Sequence, residues 1–378
     1  MASQHGAEYK LLPDIPLEIQ FLILDQLSTG RRRIANLTPL APTCLAWAGH
    51  IQSLLFRDIT LNYSNTDAFL SLLRGNARLG EYVLIISLPG GATVILNPDI
   101  IYLLPNVHTF RITSHSFASL LGSHRRWVTV RVLSLRFCIL STAENLWAFI
   151  DLFPGLESLE CGGWLYNLDD TSAAASDVAR TAPTLHLKRL VLESSKNHSP
   201  QFISRQLAAR DIAVDSLSVT LAAEEDRDAS PCNVLLSRIG PTLQVLTVTE
   251  LPEELEPIIP LDISNCTALR HLTLHLRCNN PMHMNTPLTS FIHQISTAPL
   301  TTLTLEIILA ASSPLELQWE DVDAILTAYA FRDLENVTVR VKSAAKSFST
   351  FGELTRHLQN RMAGLQQRGL LQVECGEL

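Results

Sequence analysis

Charged residues make up only 17% of this 378-residue chain, and no window of 18 consecutive apolar residues occurs in it. The first scarcity goes with a 47% hydrophobic composition, which excludes a disordered chain and leaves material for a large core. The second removes the expectation of a transmembrane helix, and no membrane partner is expected. Met1-Ala2-Ser3-Gln4-His5 is not a basic stretch leading into an apolar one, so no signal peptide is expected. Positive charge is also short: 29 Lys and Arg face 37 Asp and Glu, a formal net charge of −8. That balance argues against a nucleic-acid binder working through phosphates. The run Arg31-Arg32-Arg33 is too isolated to alter it and reads as a solvated loop.

Cysteine spacing is uninformative in a useful way. Cys44, Cys138, Cys161, Cys232, Cys266, Cys278 and Cys375 never form a CxxC pair, so they read as reduced thiols of a cytoplasmic or nuclear protein. Catalytic signatures are missing too. There is no GxSxG, GxxxxGK, HExxH or GxGxxG, and acidic clusters such as Glu224-Glu225-Asp226 and Glu253-Glu254 have no paired group suited to acid–base work. His271 and His275 share a strand face with Cys278 and His283 nearby, but the spacing matches no closed zinc site. No enzyme activity, cofactor or metal is expected.

What the chain does have is one recurring phrase, apolar-x-x-apolar-x-apolar. It occurs at Val83/Ile86/Leu88, Val107/Phe110/Ile112, Val130/Leu133/Leu135, Leu156/Leu159/Cys161 and Leu187/Leu190/Leu192. It continues at Val214/Leu217/Val219, Leu243/Leu246/Val248, Leu269/Leu272/Leu274, Leu300/Leu303/Leu305 and Leu334/Val337/Val339. Successive copies start 23 to 34 residues apart, against about 20–29 for leucine-rich repeats. The last two apolar positions alternate with polar ones, as a half-buried strand requires. Helical patterns fill the gaps: Ser141-Thr142-Ala143-Glu144 is a capping box ahead of Leu146, Trp147, Phe149 and Ile150, and Trp319–Tyr329 and Phe348–Met362 are similar. Strand–helix alternation around a fixed phrase predicts an α/β solenoid over residues 62–378, with parallel strands on the concave side and helices on the convex side. A doubly wound α/β sheet shares the alternation, but no Gly-rich phosphate loop follows any strand. The complete leucine-rich phrase, Val130/Leu133/Leu135/Cys138/Leu140, occurs once, so the repeat is degenerate.

Polar positions inside the phrase point out of the concave face. They are Arg111, Arg136, Glu160, Glu193, Thr220, Thr249, His271, His275, Glu306 and Arg340, with Trp164 expected at the strand rim after Gly162-Gly163. Concave solenoid faces bind partners, so the charged members and Trp164 are candidate substrate contacts. A generic solvated sheet face would carry the same pattern.

The N-terminal 50 residues are different. On a helix, Leu17–Leu27 places Leu17, Ile19, Phe21, Leu22, Ile23, Leu24 and Leu27 on nearly every side, and such a helix must be covered on more than one face. A short segment has little core of its own to do that. Pro16 suits the first helical turn. A second helix is expected to start at Thr38-Pro39, with Cys44, Trp47, Ile51 and Leu54 or Leu55 forming one stripe.

Ile15-Pro16-Leu17-Glu18-Ile19, the Ile23/Leu24/Leu27 cluster, Cys44-x-x-Trp47 and the following Leu54-Leu55-Phe56-Arg57-Asp58-Ile59 together resemble an F-box of the fungal type, in which the chain turns directly into a first strand. Leu45 stands where the family usually has a basic residue, and Pro42 is an unusual neighbour that would shorten or kink its helix. The resemblance implies a three-helix F-box over residues 8–61 that binds the Skp adaptor, and through it a cullin, in a Skp–cullin–F-box ubiquitin ligase. It implies that Pro16, Ile19, Ile23, Leu24, Leu27, Cys44 and Trp47 are adaptor-facing or box-core residues. The repeat would then hold a protein substrate, and this chain would supply positioning and no chemistry. The competing expectation is a stand-alone leucine-rich-repeat scaffold whose N-terminal helices are only a cap. The two differ in whether the apolar faces of Leu17–Leu27 and Cys44–Leu55 are exposed.

Overall fold

A computed structural model describes residues 16–28, 33–42, 45–89, 100–113, 126–140, 143–163, 166–167, 184–193, 201–220, 230–251, 261–278, 285–295, 298–309, 318–328, 331–343 and 351–377. The chain is mixed α/β and divides into two compact units, residues 1–87 with 99–107, and residues 88–98 with 108–378.

The first unit is built largely of helices: α1 (Leu17–Leu27), α2 (Arg33–Leu37), a 3-10 turn at Thr38–Leu40, α3 (Leu45–Phe56), α4 (Thr66–Gly75), α5 (Arg78–Glu81) and α6 (Ile100–Leu103). Strand β1 (Asp58–Thr60) pairs in parallel with β2 (Ile85–Leu88), Ile59 opposite Ile86. Leu24, Leu37, Ile51 and Leu54 are buried against one another, with Phe21, Leu40, Trp47 and Leu55 packed around them. Three local expectations change. Arg33 opens a helix rather than lying in a loop, because Leu37 at the helix end is fully buried. The helix expected from Thr38-Pro39 is instead a 3-10 turn, with α3 starting at Leu45. Pro42 lacks the N–H that a continuous helix would bond to Thr38. Pro16 is also one residue earlier than expected. It is the N-cap of α1, with ψ 142°, and its carbonyl accepts the N–H groups of Ile19 and Gln20 at 2.9 and 3.1 Å. Gly80 marks a close approach within this unit, since a Cβ there would lie 1.8 Å from the Leu103 carbonyl oxygen.

The second unit is a ladder of parallel strands in chain order: β3 (Thr109–Thr113), β4 (Val132–Arg136), β6 (Ser158–Gly162), β8 (Leu185–Glu193), β9 (Ile212–Thr220), β10 (Val245–Leu251), β11 (His271–Cys278), β12 (Thr302–Leu309), β13 (Asn336–Ser343) and β14 (Leu371–Glu377). A separate parallel pair joins β5 (Ile139–Leu140) to β7 (Tyr166–Asn167). Each of the ten strands runs parallel to its neighbours. Helices α7 (Ala143–Ile150), α8 (Gln201–Ala209), α9 (Ser230–Ile239), α10 (Asn285–Gln294), α11 (Trp319–Thr327), α12 (Phe351–Arg361) and α13 (Ala363–Gln367) lie between strands in the chain. This arrangement is consistent with an α/β solenoid.

Register explains why the phrase recurs. Phe110, Leu133, Leu159, Leu190, Leu217, Leu246, Leu272, Leu303, Val337 and Leu371 stand opposite one another across the ladder. Two residues on, Ile112, Leu135, Cys161, Leu192, Val219, Val248, Leu274, Leu305, Val339 and Val373 form a second row. All thirty phrase positions are buried. The helices contribute their own apolar faces, among them Trp147, Phe149, Leu235, Phe291, Trp319 and Leu358. Arg210 is a buried exception. It donates to Asp151 Oδ1 at 2.8 Å, and its guanidinium lies 4.9 Å from the Trp147 ring centroid. Among the described residues no helix is long and apolar enough to cross a membrane. Cys138, Cys161, Cys232 and Cys266 are buried, and Cys375 is half-buried. Burial pushes the Cys161 thiol up and the Cys266 thiol up to about 12, so neither is a ready nucleophile.

Removing a wall of a fully buried row destabilises by lost transfer free energy plus the cavity left behind. Leu246→Ala is expected to cost about 2–5 kcal/mol in urea unfolding. Its neighbour Thr247→Ala, on the opposite side of β10, is expected to stay within about 1 kcal/mol. Equal effects would refute the assigned sides.

Candidate docking helix and polar sheet face

Helix α1 turns one residue fully into the first unit's core. Leu24 is 1% exposed and Phe21 packs beside it, stacked on the His50 ring at 4.2 Å with 13° between planes. Two side-chain links tie the helix to α3: the Trp47 indole N–H donates to Gln20 Oε1 at 2.6 Å, and His50 Nε2 lies 2.9 Å from Asp25 Oδ1. The rest of the apolar surface faces outward. Leu17 is 43% exposed, Ile19 47%, Leu22 58%, Ile23 48% and Leu27 36%, with Ile34 of α2 at 66%. Ile19, Leu22, Ile23 and Leu27 follow helical spacing, so they form one stripe. Single exposed leucines are ordinary on protein surfaces, whereas these four lie together along one side of a helix.

The expected adaptor-facing residues therefore separate. Pro16, Ile19, Ile23 and Leu27 are exposed, Leu24 is core, and Trp47 is half-buried and hydrogen-bonded. Cys44 lies outside the described residues. Leu17, Leu22 and Ile34 belong to the exposed set without having been singled out. The all-round apolar content of α1 was the available signal for the first two.

On the second unit, polar phrase residues collect into rows because parallel register aligns them. Thr220, Thr249, His275, Glu306, Arg340 and Glu374 stand opposite one another on six successive strands. Arg136, Gly162 and Glu193 are likewise aligned on β4, β6 and β8. Leu192 pairs with Val219, so Glu193 and Thr220 join the two runs. Arg111 and Glu160 sit one row toward the strand N-termini, either side of the buried Ser134. His271, one row lower again, is exposed. Trp164 and His283 fall outside the described residues, and so do Glu224–Asp226 and Glu253-Glu254.

Two charge clusters result. Arg136 Nη2 reaches Glu193 at 3.1 Å across two strand spacings, which Gly162 permits: a Cβ there would lie 2.8 Å from Glu193 Oε2. Further along, Glu306 accepts from Lys342 Nζ at 2.6 Å and sits 3.6 Å from His275 Nδ1, while Arg340 Nε donates to Glu374 Oε2 at 2.7 Å. Glu374 also accepts from Gln372 at 2.9 Å. Burial pushes the Glu306 carboxyl upward, but the Lys342 hydrogen bond and the positive charges of His275, Lys342 and Arg340 together hold it below the usual carboxylate range. Lys342 and Glu374 were not singled out in the sequence. Lys342 lies one alternation beyond the phrase, and β14 had no phrase to mark it. Among the described residues no group of three His, Cys, Asp or Glu is placed to hold a metal ion. His275 is occupied with Glu306 instead.

No protein-family model matches the chain, and no curated protein matches it.

Glu306 gives a pH-dependent prediction. Its folded-state value lies below the ordinary one, so on acidification the unfolded chain binds the proton first. Its contribution is full above the ordinary carboxylate range and is lost as pH falls through the lowered value. Glu306→Gln should therefore flatten the acid limb of the stability curve. At neutral pH, Lys342→Met should destabilise by about 1–3 kcal/mol by stripping a nearly buried carboxylate of its donor. An unchanged acid limb in Glu306→Gln would show that the network does not hold in solution.

Proposed function

We propose that this chain is a substrate-recruiting adaptor of a Skp–cullin–F-box ubiquitin ligase. In this reading the F-box-like segment, with α1 at its centre, docks a Skp-family adaptor and through it a cullin. The second unit is a leucine-rich-repeat solenoid whose polar strand face, read as concave, holds a protein substrate. Conjugation chemistry belongs to other subunits, and the place of action is the cytoplasm or the nucleus.

The observation that carries the reading is the exposed stripe of α1. A helix that served only as a cap would bury Leu17, Ile19, Leu22, Ile23 and Leu27 against its own chain, yet each is at least a third exposed. Completing the burial of one such side chain returns roughly 1 kcal/mol. Several together supply the kind of apolar anchor cluster that dominates protein interfaces. The links Trp47–Gln20 and His50–Asp25 hold α1 with that stripe outward. The supporting resemblance lies in the same residues: Pro16, Ile19, Ile23 and Leu27 are exposed as a docking surface needs. The polar rows supply a second surface, suited to a partner by its regular spacing and mixed charge.

Co-purification of the full chain with a recombinant Skp-family adaptor tests this. Wild type should form a stoichiometric complex, and Leu22→Asp/Ile23→Asp should lose about 100-fold or more in affinity, as removal of a central hot spot does. Both positions are exposed, so the variant should fold. Folded wild type that shows no binding would overturn the proposal and leave a stand-alone repeat scaffold.

A further inference from the structure

Strand β4 ends at Arg136, and Cys138 is already back in the core, its thiol directed at the carbonyl oxygens of Arg136 at 3.4 Å and Ile112 at 3.7 Å. One residue makes the reversal. Phe137 does so with φ 53°, the one positive φ at a non-glycine position among the described residues. That conformation is disfavoured for any side chain with a Cβ, and glycine or asparagine adopts it more readily. Phe137 is also 45% exposed. An aromatic ring here thus carries backbone strain and leaves apolar surface in water. Strain held in place by its surroundings is a mark of functional positions.

The surroundings do hold it. The Phe137 N–H donates to the Gly162 carbonyl at 3.0 Å. The ring lies directly over Gly163, whose φ is itself +70° and where a Cβ would come within 2.5 to 2.9 Å of three ring carbons. Alongside, over Gly162, the Arg136–Glu193 pair closes at 3.1 Å. The two consecutive glycines form a floor with an aromatic ring on one and an ion pair on the other. Close to half of the Phe137 side chain stays exposed above this floor.

We propose that Phe137 is the substrate anchor of the second unit, receiving a Leu, Phe or Trp side chain from an extended polypeptide segment. The bordering charges select this chemistry. Arg136 and Glu193 satisfy each other, so an incoming Lys or Glu would be desolvated beside a pair with no charge to spare. An apolar side chain loses nothing there, and it gains the exposed part of the ring while the ion pair forms a polar rim around the contact. A single ring hemmed by charges has the area of one side chain, which suits a peptide residue rather than a lipid surface. Calling the occupant a substrate rests on the adaptor reading above. The contact itself does not.

The test uses the full chain and short dye-labelled Ser-Gly peptides carrying a central Trp, Leu, Lys, Glu or Ser, titrated by fluorescence anisotropy. Phe137→Gly removes the ring and also relieves the positive φ, so lost binding cannot be ascribed to unfolding. Trp- and Leu-centred peptides should bind wild type at least about tenfold more tightly than the others, and Phe137→Gly should abolish the difference. Gly163→Ala, which displaces the ring, should weaken them as well. Equal binding by wild type and Phe137→Gly, a preference for Lys or Glu, or no peptide binding at all would overturn the proposal, as would capture of neutral lipid vesicles by wild type in place of the peptides. Capture of a Skp-family adaptor is measured on the same preparations. Adaptor binding without peptide preference sinks the anchor alone, and peptide preference without adaptor binding sinks only the adaptor reading.

Discussion

A parallel strand has no hairpin partner of its own, so its backbone groups and its apolar side must both be completed by strands that lie a whole crossover away in the chain. Everything in the second unit follows from that constraint. Leu246 is covered because Leu217 and Leu272 stand opposite it, and each of these depends on its own neighbour in turn. The spacing between copies can drift from 23 to 34 residues because the crossovers absorb the difference. The three apolar positions of the phrase cannot drift, since a slip of one residue would turn the row out of the core.

The same constraint creates the polar face. Register that aligns the leucines also aligns whatever lies between them, so Thr249, His275, Glu306, Arg340 and Glu374 meet as a row without any local sequence signal that they will. Charges brought together this way must be reconciled. The structure does so by pairing Glu306 with Lys342, Arg340 with Glu374, and Arg136 with Glu193 over a glycine. The first unit has the opposite character. Its helix α1 carries more apolar surface than its own core takes up, and the excess sits outward rather than being folded away.

Much of the ladder could be read in advance, because alternation within a strand and the recurrence of a phrase are both linear in sequence. All thirty phrase positions are buried. Strand β14 escaped notice because Arg368 occupies the place of its first apolar residue, and β5 and β7 because two residues carry no period. Arg33 resembled loop until Leu37 was seen in the core. The pairing of Arg136 with Glu193 depends on residues 57 apart and on the absence of a side chain between them. Phe137 was least legible of all. Alternation places it facing inward, and only its left-handed backbone turns the ring out. On α1 the apolar excess was evident from the sequence, but which members lie outward depends on how Trp47 and His50 of α3 grip Gln20 and Asp25.

The account turns on the outward face of α1 being a docking surface. Backbone hydrogen exchange of the full chain, alone and with a Skp-family adaptor, reads this directly, because a covered helix opens less often. The account predicts slowed exchange across Leu17–Leu27 when the adaptor is added, with the strands of the second unit unchanged. Exchange in α1 that is the same with and without the adaptor, or slowing confined to the second unit, would contradict it.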